Sequence, residues 1–248
     1  MKYFGKSDKG KTRDSNQDSY AVVENISGDF LGVVCDGIGG SRHGEVASSL
    51  AVEEITTRFN ECKGFIDLED AKAWLFTSVN AVNEAVYKKS LKNEEYRGMG
   101  TTFVACLICE FGTLVANVGD SRAYALYDEM TFRTITKDHT FVANLVQSGE
   151  ISIQESLNHP QRHVITNAVG IWDKITVDVD EVENNTKTIV LCSDGLHGYV
   201  SEDKITNVIK GDRTLEEKAN ILLQMANDEG GLDNITVVLV EANRGEWK

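Results

Sequence analysis

Proline is almost missing from this chain: there is one, Pro160. No Gly/Ser-rich stretch and no block of like charge interrupts the sequence, so nothing marks a linker. Residues 1–248 are read as one domain. Long apolar runs are missing too. None approaches the roughly 20 residues of a membrane-spanning helix, and the opening MKYFGKSDKGKTRDSNQDS holds no apolar signal core. The expectation is a cytoplasmic protein with no membrane partner. Positive charge is scarce: 25 Lys and Arg stand against 39 Asp and Glu, a formal net charge of −14. That balance argues against nucleic acid as a partner, because such binding rests on basic side chains neutralising phosphates. Cysteine is sparse, and five cannot all pair internally. Cys35, Cys106 and Cys192 lie within apolar runs, as small core residues do. Cys106 and Cys109 form a CxxC, but residues three apart on a strand face opposite sides. No second pair completes a zinc site, so a reducing compartment fits best.

What is present is a change of hydrophobic period along the chain. Residues 20–23 and 30–35 read as strands about a turn at 25–29. Residues 44–60 place Val46, Ala47, Leu50, Ala51, Ile55 and Phe59 on one helical face, and 68 to about 89 do the same with Ala71, Leu75, Val79, Val82 and Val86. Asp67 caps that second helix. Strands follow at 101–109, 114–118, 122–127 and 131–135, joined by short turns. A short helix is expected at 140–147, and 150–167 is irregular and polar, so 141–166 forms a surface flap. Strands return at 175–182 and 188–192. Helices at 202–210 and 215–228, the second with a Thr214/Glu217 capping box, precede a closing strand at 234–241. Strands in blocks with helices in pairs do not alternate as βαβ units. The pattern is α+β, with antiparallel sheets and helices packed outside.

Four segments share one design, an apolar strand beginning or ending at an aspartate beside glycine or a small polar residue. They are Phe30–Gly37, Val115–Ser121, Ile189–Gly195 and Gly231–Val237, carrying Asp36, Asp120, Asp194 and Asp233. A carboxylate at the mouth of a buried strand is costly unless a positive partner pairs with it. Nearby basic residues are too few, and several carboxylates at one sheet edge repel unless a divalent cation neutralises them. All-oxygen ligands favour magnesium, manganese or calcium over zinc, and no EF-hand spacing is present. Any one Asp-Gly step taken alone is an ordinary turn; four in this order are not.

The ordered set resembles the metal-dependent protein phosphatases (type 2C), in particular their compact bacterial members. It comprises Arg13-Asp14-Ser15-Asn16-Gln17-Asp18, Asp36-Gly37-Ile38-Gly39-Gly40 with Gly44-Glu45-Val46-Ala47, Gly100-Thr101-Thr102 and Gly119-Asp120-Ser121-Arg122. It continues with Lys137-Asp138-His139-Thr140, His159-Pro160, Ser193-Asp194-Gly195-Leu196 and Asp233-Asn234-Ile235-Thr236. The resemblance spans residue 9 to about residue 240. It implies a four-layer α-β-β-α sandwich of two mainly antiparallel sheets, with two divalent cations, Mn2+ or Mg2+, in a cleft at one end. Asp36 would bridge them, the Gly37 carbonyl would bind one, and Asp194 and Asp233 the other. Asp18 would act through metal-bound water. Asp120 with Asp194 would hold a weaker third cation. Arg13 would grip the substrate phosphate. The implied reaction is hydrolysis of phosphoserine and phosphothreonine in proteins by water bridging the cations. The implied partners are phosphorylated proteins and a cognate Ser/Thr kinase, acting on a monomer.

Two positions depart from the family. Gln17 stands where many relatives have Glu, which leaves Asp18 as the acid of that segment. Ile38 stands where many eukaryotic relatives have a histidine proposed as general acid, and it donates no proton. His43 is read as a solvent-exposed residue at the start of a helix, with general-acid duty as the competing reading. His139 and His163 lie near the flap and His197 near the cleft, while His159-Pro160 is turn chemistry. Arg122 is read as a structural ion-pair partner. Two other functions compete, a non-catalytic phosphoprotein-binding pseudophosphatase and a hydrolase of small phosphoesters. Intact Arg13, Asp36, Asp194 and Asp233 speak against the first.

Overall fold

The computed structural model describes residues 1–38, 43–92, 94–127 and 131–241. Gly39 and Gly40 of the glycine-rich motif lie outside these described residues.

In chain order the strands are β1 (Lys2–Asp8), β2 (Asp18–Glu24), β3 (Phe30–Ile38), β4 (Gly100–Thr101), β5 (Phe103–Cys109), β6 (Gly112–Val118), β7 (Arg122–Leu126), β8 (Phe132–Thr134), β9 (Asp178–Val182), β10 (Thr188–Cys192) and β11 (Ile235–Glu241). The α-helices are α1 (Gly44–Glu61), α2 (Leu68–Lys92), α3 (Phe141–Gln147), α4 (Ile153–Leu157), α5 (Asp194–His197), α6 (Glu202–Lys210) and α7 (Leu215–Asp228). One sheet runs β1-β11-β10-β7-β8. The other runs β2-β3-β5-β6-β9, with β4 paired to β3, and every pairing is antiparallel.

The central strands are apolar on both faces because both faces are covered. On β5, Phe103, Ala105, Leu107 and Cys109 pack toward α1 and α2, while Val104, Cys106 and Ile108 face the other sheet. The CxxC therefore splits across two cores, and all five cysteines are free. On β11, Val238 and Val240 face the inter-sheet core, whereas Ile235, Val237 and Leu239 meet α6 and α7. Three apolar layers thus separate four layers of secondary structure, the α-β-β-α sandwich expected. Each fully buried Leu, Val or Phe contributes about 1.5–3 kcal/mol. Ala47 and Ala51 of α1 and Ala71 of α2 are wholly buried in the core shared with the second sheet.

The structure corrects the sequence reading in several places. β1 was not anticipated: its polar, charge-bearing sequence becomes a strand by pairing along its whole length with β11. The stretch 150–167 is not wholly irregular, for α4 forms there on a Ser152/Glu155 capping box. α5 is a further unanticipated short helix. The expected strand at 101–109 breaks at Thr102, whose N–H donates to Asp36 O (2.8 Å) and whose Oγ1 accepts from Asp36 N (2.9 Å). The strand expected at 175–182 begins only at Asp178. Among the described residues, no helix is long and apolar enough to cross a membrane.

Candidate active site

Topology brings the aspartates together. β10 ends and β11 begins at the same edge, because the two run antiparallel with Cys192 opposite Val237. Asp194 follows β10, Asp233 precedes β11, and Asp120 lies in the turn before β7, whose Arg122 is also opposite Cys192. From the second sheet, β2 begins at Asp18 directly across from Asp36 on β3. Two sheets therefore deliver five carboxyls to one end of the sandwich.

Their surroundings raise their proton affinity. Burial pushes Asp36 well above the usual carboxylate range, with Asp18, Asp194, Asp120 and Asp233 adding repulsion. Asp120 is raised likewise, by burial and then by Asp194 and Asp138. Asp194 is raised by burial and by Asp233, and its hydrogen bond with the Asp36 carboxyl works the other way. Asp18 is pushed up to about 7 by burial, against the opposing effect of two hydroxyl donors. Thr236 Oγ1 (2.6 Å) and Ser193 Oγ (2.7 Å) both donate to Asp18 Oδ2. Asp18 Oδ1 and Asp194 Oδ1 are buried without any hydrogen-bond partner. Orphaned carboxylate oxygens inside an all-oxygen donor set fit a hard divalent cation. Among the described residues, no three His, Cys, Asp or Glu side chains stand close enough to hold an ion as they are. Asp36 and Asp194 share a hydrogen bond, and Asp233 is engaged by Arg13.

Arg13 sits at the rim, half exposed. Its Nη2 donates to Asp233 Oδ2 (2.7 Å) and its Nε to Leu232 O (3.2 Å). Partial burial opposes its charge, and Asp233, Asp36 and Asp194 more than compensate. Gly37 touches the first turn of α1: a Cβ there would strike the Gly44 backbone and the Gln17 carbonyl. The Gly37 peptide is therefore free to lie where a side chain has no room.

The histidines divide. His43 precedes α1 and stacks edge-on with Tyr96, ring centroids 5.3 Å apart. His139 is structural. Its Nδ1 accepts from Gly119 N (3.1 Å) and Asn167 Nδ2 (2.9 Å), which leaves Nε2–H to face Asp178 (3.0 Å). His197 lies beneath the site. Burial first, then Arg122, holds it down to about 3, so the ring is neutral and Nε2–H donates to Asp120 O (2.9 Å). His163 of the flap acts on Asp194 electrostatically. The His159 ring accepts from Gln161 N (3.1 Å), the turn role expected. The flap is tied at its base by the Thr140–Ile165 bridge and by Thr166 N donating to His139 O (2.8 Å).

Sequence reasoning missed Ser193 and Thr236 as the hydroxyls that hold Asp18. Both stood in the motifs beside an aspartate, and that adjacency was the available signal. It also left Thr102 without a role.

Residues 8–238 match the family described as protein phosphatase 2C. The chain belongs to that family, whose members are metal-dependent phosphoprotein phosphatases. It is 38% identical to the serine/threonine phosphatase stp of Listeria welshimeri, over 96% of this chain and 94% of that protein. It is 33% identical to protein phosphatase PhpP of Streptococcus pneumoniae, over 95% of each. Its fold superposes on the crystal structure of serine/threonine phosphatase Stp1 from Staphylococcus aureus with a TM-score of 0.91 at 35% identity, covering 98% of this chain and 95% of that one.

Proposed function

We propose that this chain hydrolyses phosphoserine and phosphothreonine in proteins, using two divalent cations, Mn2+ or Mg2+, in the aspartate cleft. The observation that carries the reading is the convergence of Asp18, Asp36, Asp120, Asp194 and Asp233 with one rim arginine. Asp36, the Gly37 carbonyl, Asp194 and Asp233 would hold the two cations, with Asp18 acting through water and Asp120 with Asp194 serving a weaker third. Bound there, divalent cations would supply Lewis-acid activation of water for attack at phosphorus.

The remaining work falls to the chain. Ser193 and Thr236 fix Asp18 Oδ2, which leaves the buried Oδ1 without a partner. Thr101 and Thr102 fix the Asp36 backbone through its carbonyl and N–H. Arg13, a planar fork at the rim, turns to the phosphate oxygens. Ile38 supplies no proton, and neutral His197 donates only to the Asp120 carbonyl. That leaves solvent, or His43 as the competing general acid, to protonate the leaving alkoxide. The partners are phosphorylated proteins, with a Ser/Thr kinase installing what this enzyme removes, and the enzyme works as a cytoplasmic monomer.

The test is phosphate release from a phosphothreonine peptide with Mn2+, with chelator, and with D36N or D194N. Chelation should abolish turnover, and each variant should lose at least about 10^3-fold in kcat. Wild-type turnover in excess chelator would overturn the metal mechanism.

A further inference from the structure

The loop from Lys9 to Gln17 carries Arg13 yet has no regular secondary structure. Its conformation comes from the segment before β11: Lys11 N (2.8 Å) and Thr12 N (3.1 Å) donate to Gly231 O, and the Asn234 side chain holds both ends. Asn234 is 5% exposed. Its Nδ2 donates to Lys9 O (2.8 Å) and Ser15 O (3.0 Å), and its Oδ1 accepts from Gln17 N (2.8 Å). The amide thus clasps both ends of the arginine loop. Its own N–H meanwhile donates to Asp233 Oδ1 (2.8 Å), the carboxylate whose other oxygen meets Arg13. The line continues across the sandwich: the Gln17 carbonyl accepts from Gly37 N (3.1 Å) and Ser48 Oγ (2.6 Å). Asn234 therefore connects Asp233, just before β11, through the Gln17 backbone N–H and carbonyl to Gly37 of β3.

We infer that Asn234 is a positioning residue that sets the arginine loop against the aspartate cleft, so that phosphate affinity depends on it although it touches neither phosphate nor metal. The inference rests on Arg13 being the phosphate grip. Losing the clasp frees Lys9 O, Ser15 O and Gln17 N to water and lets Arg13 leave the rim. Binding common to substrate and transition state is then lost, which appears in KM more than in kcat.

The experiment measures KM, kcat and inhibition by inorganic phosphate for wild type, N234A, R13A and the double variant, with a phosphothreonine peptide and saturating Mn2+. N234A should raise KM and the phosphate inhibition constant together by roughly tenfold, with kcat changed by less than about threefold. On the R13A background N234A should add less than about twofold, because its effect passes through Arg13. Amide hydrogen exchange of residues 9–17 should quicken in N234A, a readout independent of turnover. If R13A raises KM and N234A does not, this inference falls while the Arg13 reading stands. If R13A leaves KM unchanged, both fall. A full KM penalty for N234A on the R13A background, or a loss confined to kcat, also overturns it. Should N234A fail to fold, N234D keeps the size and the acceptor for Gln17 N–H but loses both donors, and the same split is expected of it.

Discussion

Arg122 and Asp138 lie at the same end of the sandwich as Asp36 and Asp194, and burial treats the two groups differently. The guanidinium donates through Nε (2.8 Å) and Nη2 (2.7 Å) to the two oxygens of Asp138, a bidentate fork, with Nη1 reaching Tyr124 Oη (3.4 Å). Burial works against the Arg122 charge, yet Asp138 holds it above its usual value. That pair is balanced: one cation faces one anion, and both carboxylate oxygens are engaged. The aspartate cleft is not. Its carboxyls have one rim arginine between them, two of their oxygens lack partners, and their proton affinities are driven up. A balanced buried pair serves the fold, whereas an unbalanced one is maintained for a ligand that completes it. This comparison separates Arg122, a structural residue as its place between turn and strand suggested, from Arg13, whose partner is a cleft carboxylate.

Breaking the balanced side should cost most in stability. R122M leaves Asp138 largely enclosed without its cation, so unfolding free energy should fall by about 2–3 kcal/mol, a figure reduced because both side chains keep some exposure. Thermal melts should drop by about 5–10 °C, and R122M/D138L should recover much of the loss. An unchanged melt would mean the fork is a surface pair in effect. The unbalanced side should respond with the opposite sign. D36N removes a repelled, buried carboxyl, so the chelator-treated protein should melt about 3–6 °C higher than wild type. The same variant should lose most of the Mn2+-induced rise in melting temperature. A lower melt for D36N in chelator would mean that Asp36 stabilises the fold on its own.

The sequence carried this architecture unevenly, for physical reasons. β3, β5, β10 and β11 were legible because strands buried on both faces read as continuous apolar runs, and α1, α2 and α7 because their stripes repeat at helical spacing. β1 was illegible because its Lys2, Gly5, Lys6 and Asp8 are tolerated only at a sheet edge, where pairing with β11 overrides composition. α4 was legible in principle, since Ser152 and Glu155 write out a capping box, but its exposed Ile153 and Leu157 give no core-facing stripe. In the cleft, aspartates beside glycines were visible as charges that apolar strands cannot leave unpaired. The hydroxyls of Ser193 and Thr236 were not, because a small polar residue next to an aspartate looks like a turn until the strands bring it to Asp18. The clasp of Asn234 on the arginine loop joins residues more than 200 positions apart, and no local pattern announces it.

The smallest effect sharpens the comparison through pH. In the metal-free protein, Asp18 has a folded pKa of about 7 against an ordinary value of 3.8, and Asp36 and Asp120 are raised as well. A raised folded pKa means that the native state binds more protons than the unfolded chain, so stability falls as pH rises through that value. His197 works oppositely, being neutral in the fold down to about 3 while the unfolded ring protonates below 6.5. Its contribution belongs to acid pH and fades above pH 6.5 as the unfolded ring loses its remaining proton. Near pH 7 Asp18 holds about half an excess proton, a whole one being worth about 1.4 kcal/mol per pH unit, so the melting temperature in chelator should fall by about 2 °C per unit. D18N should flatten the slope. Mn2+ should raise the melting temperature more at pH 8 than at pH 6.5, since ligating carboxylates must first be deprotonated. A slope that survives D18N, D36N and D120N together would place the excess protons outside the cleft, and the contrast between the two clusters would then fail.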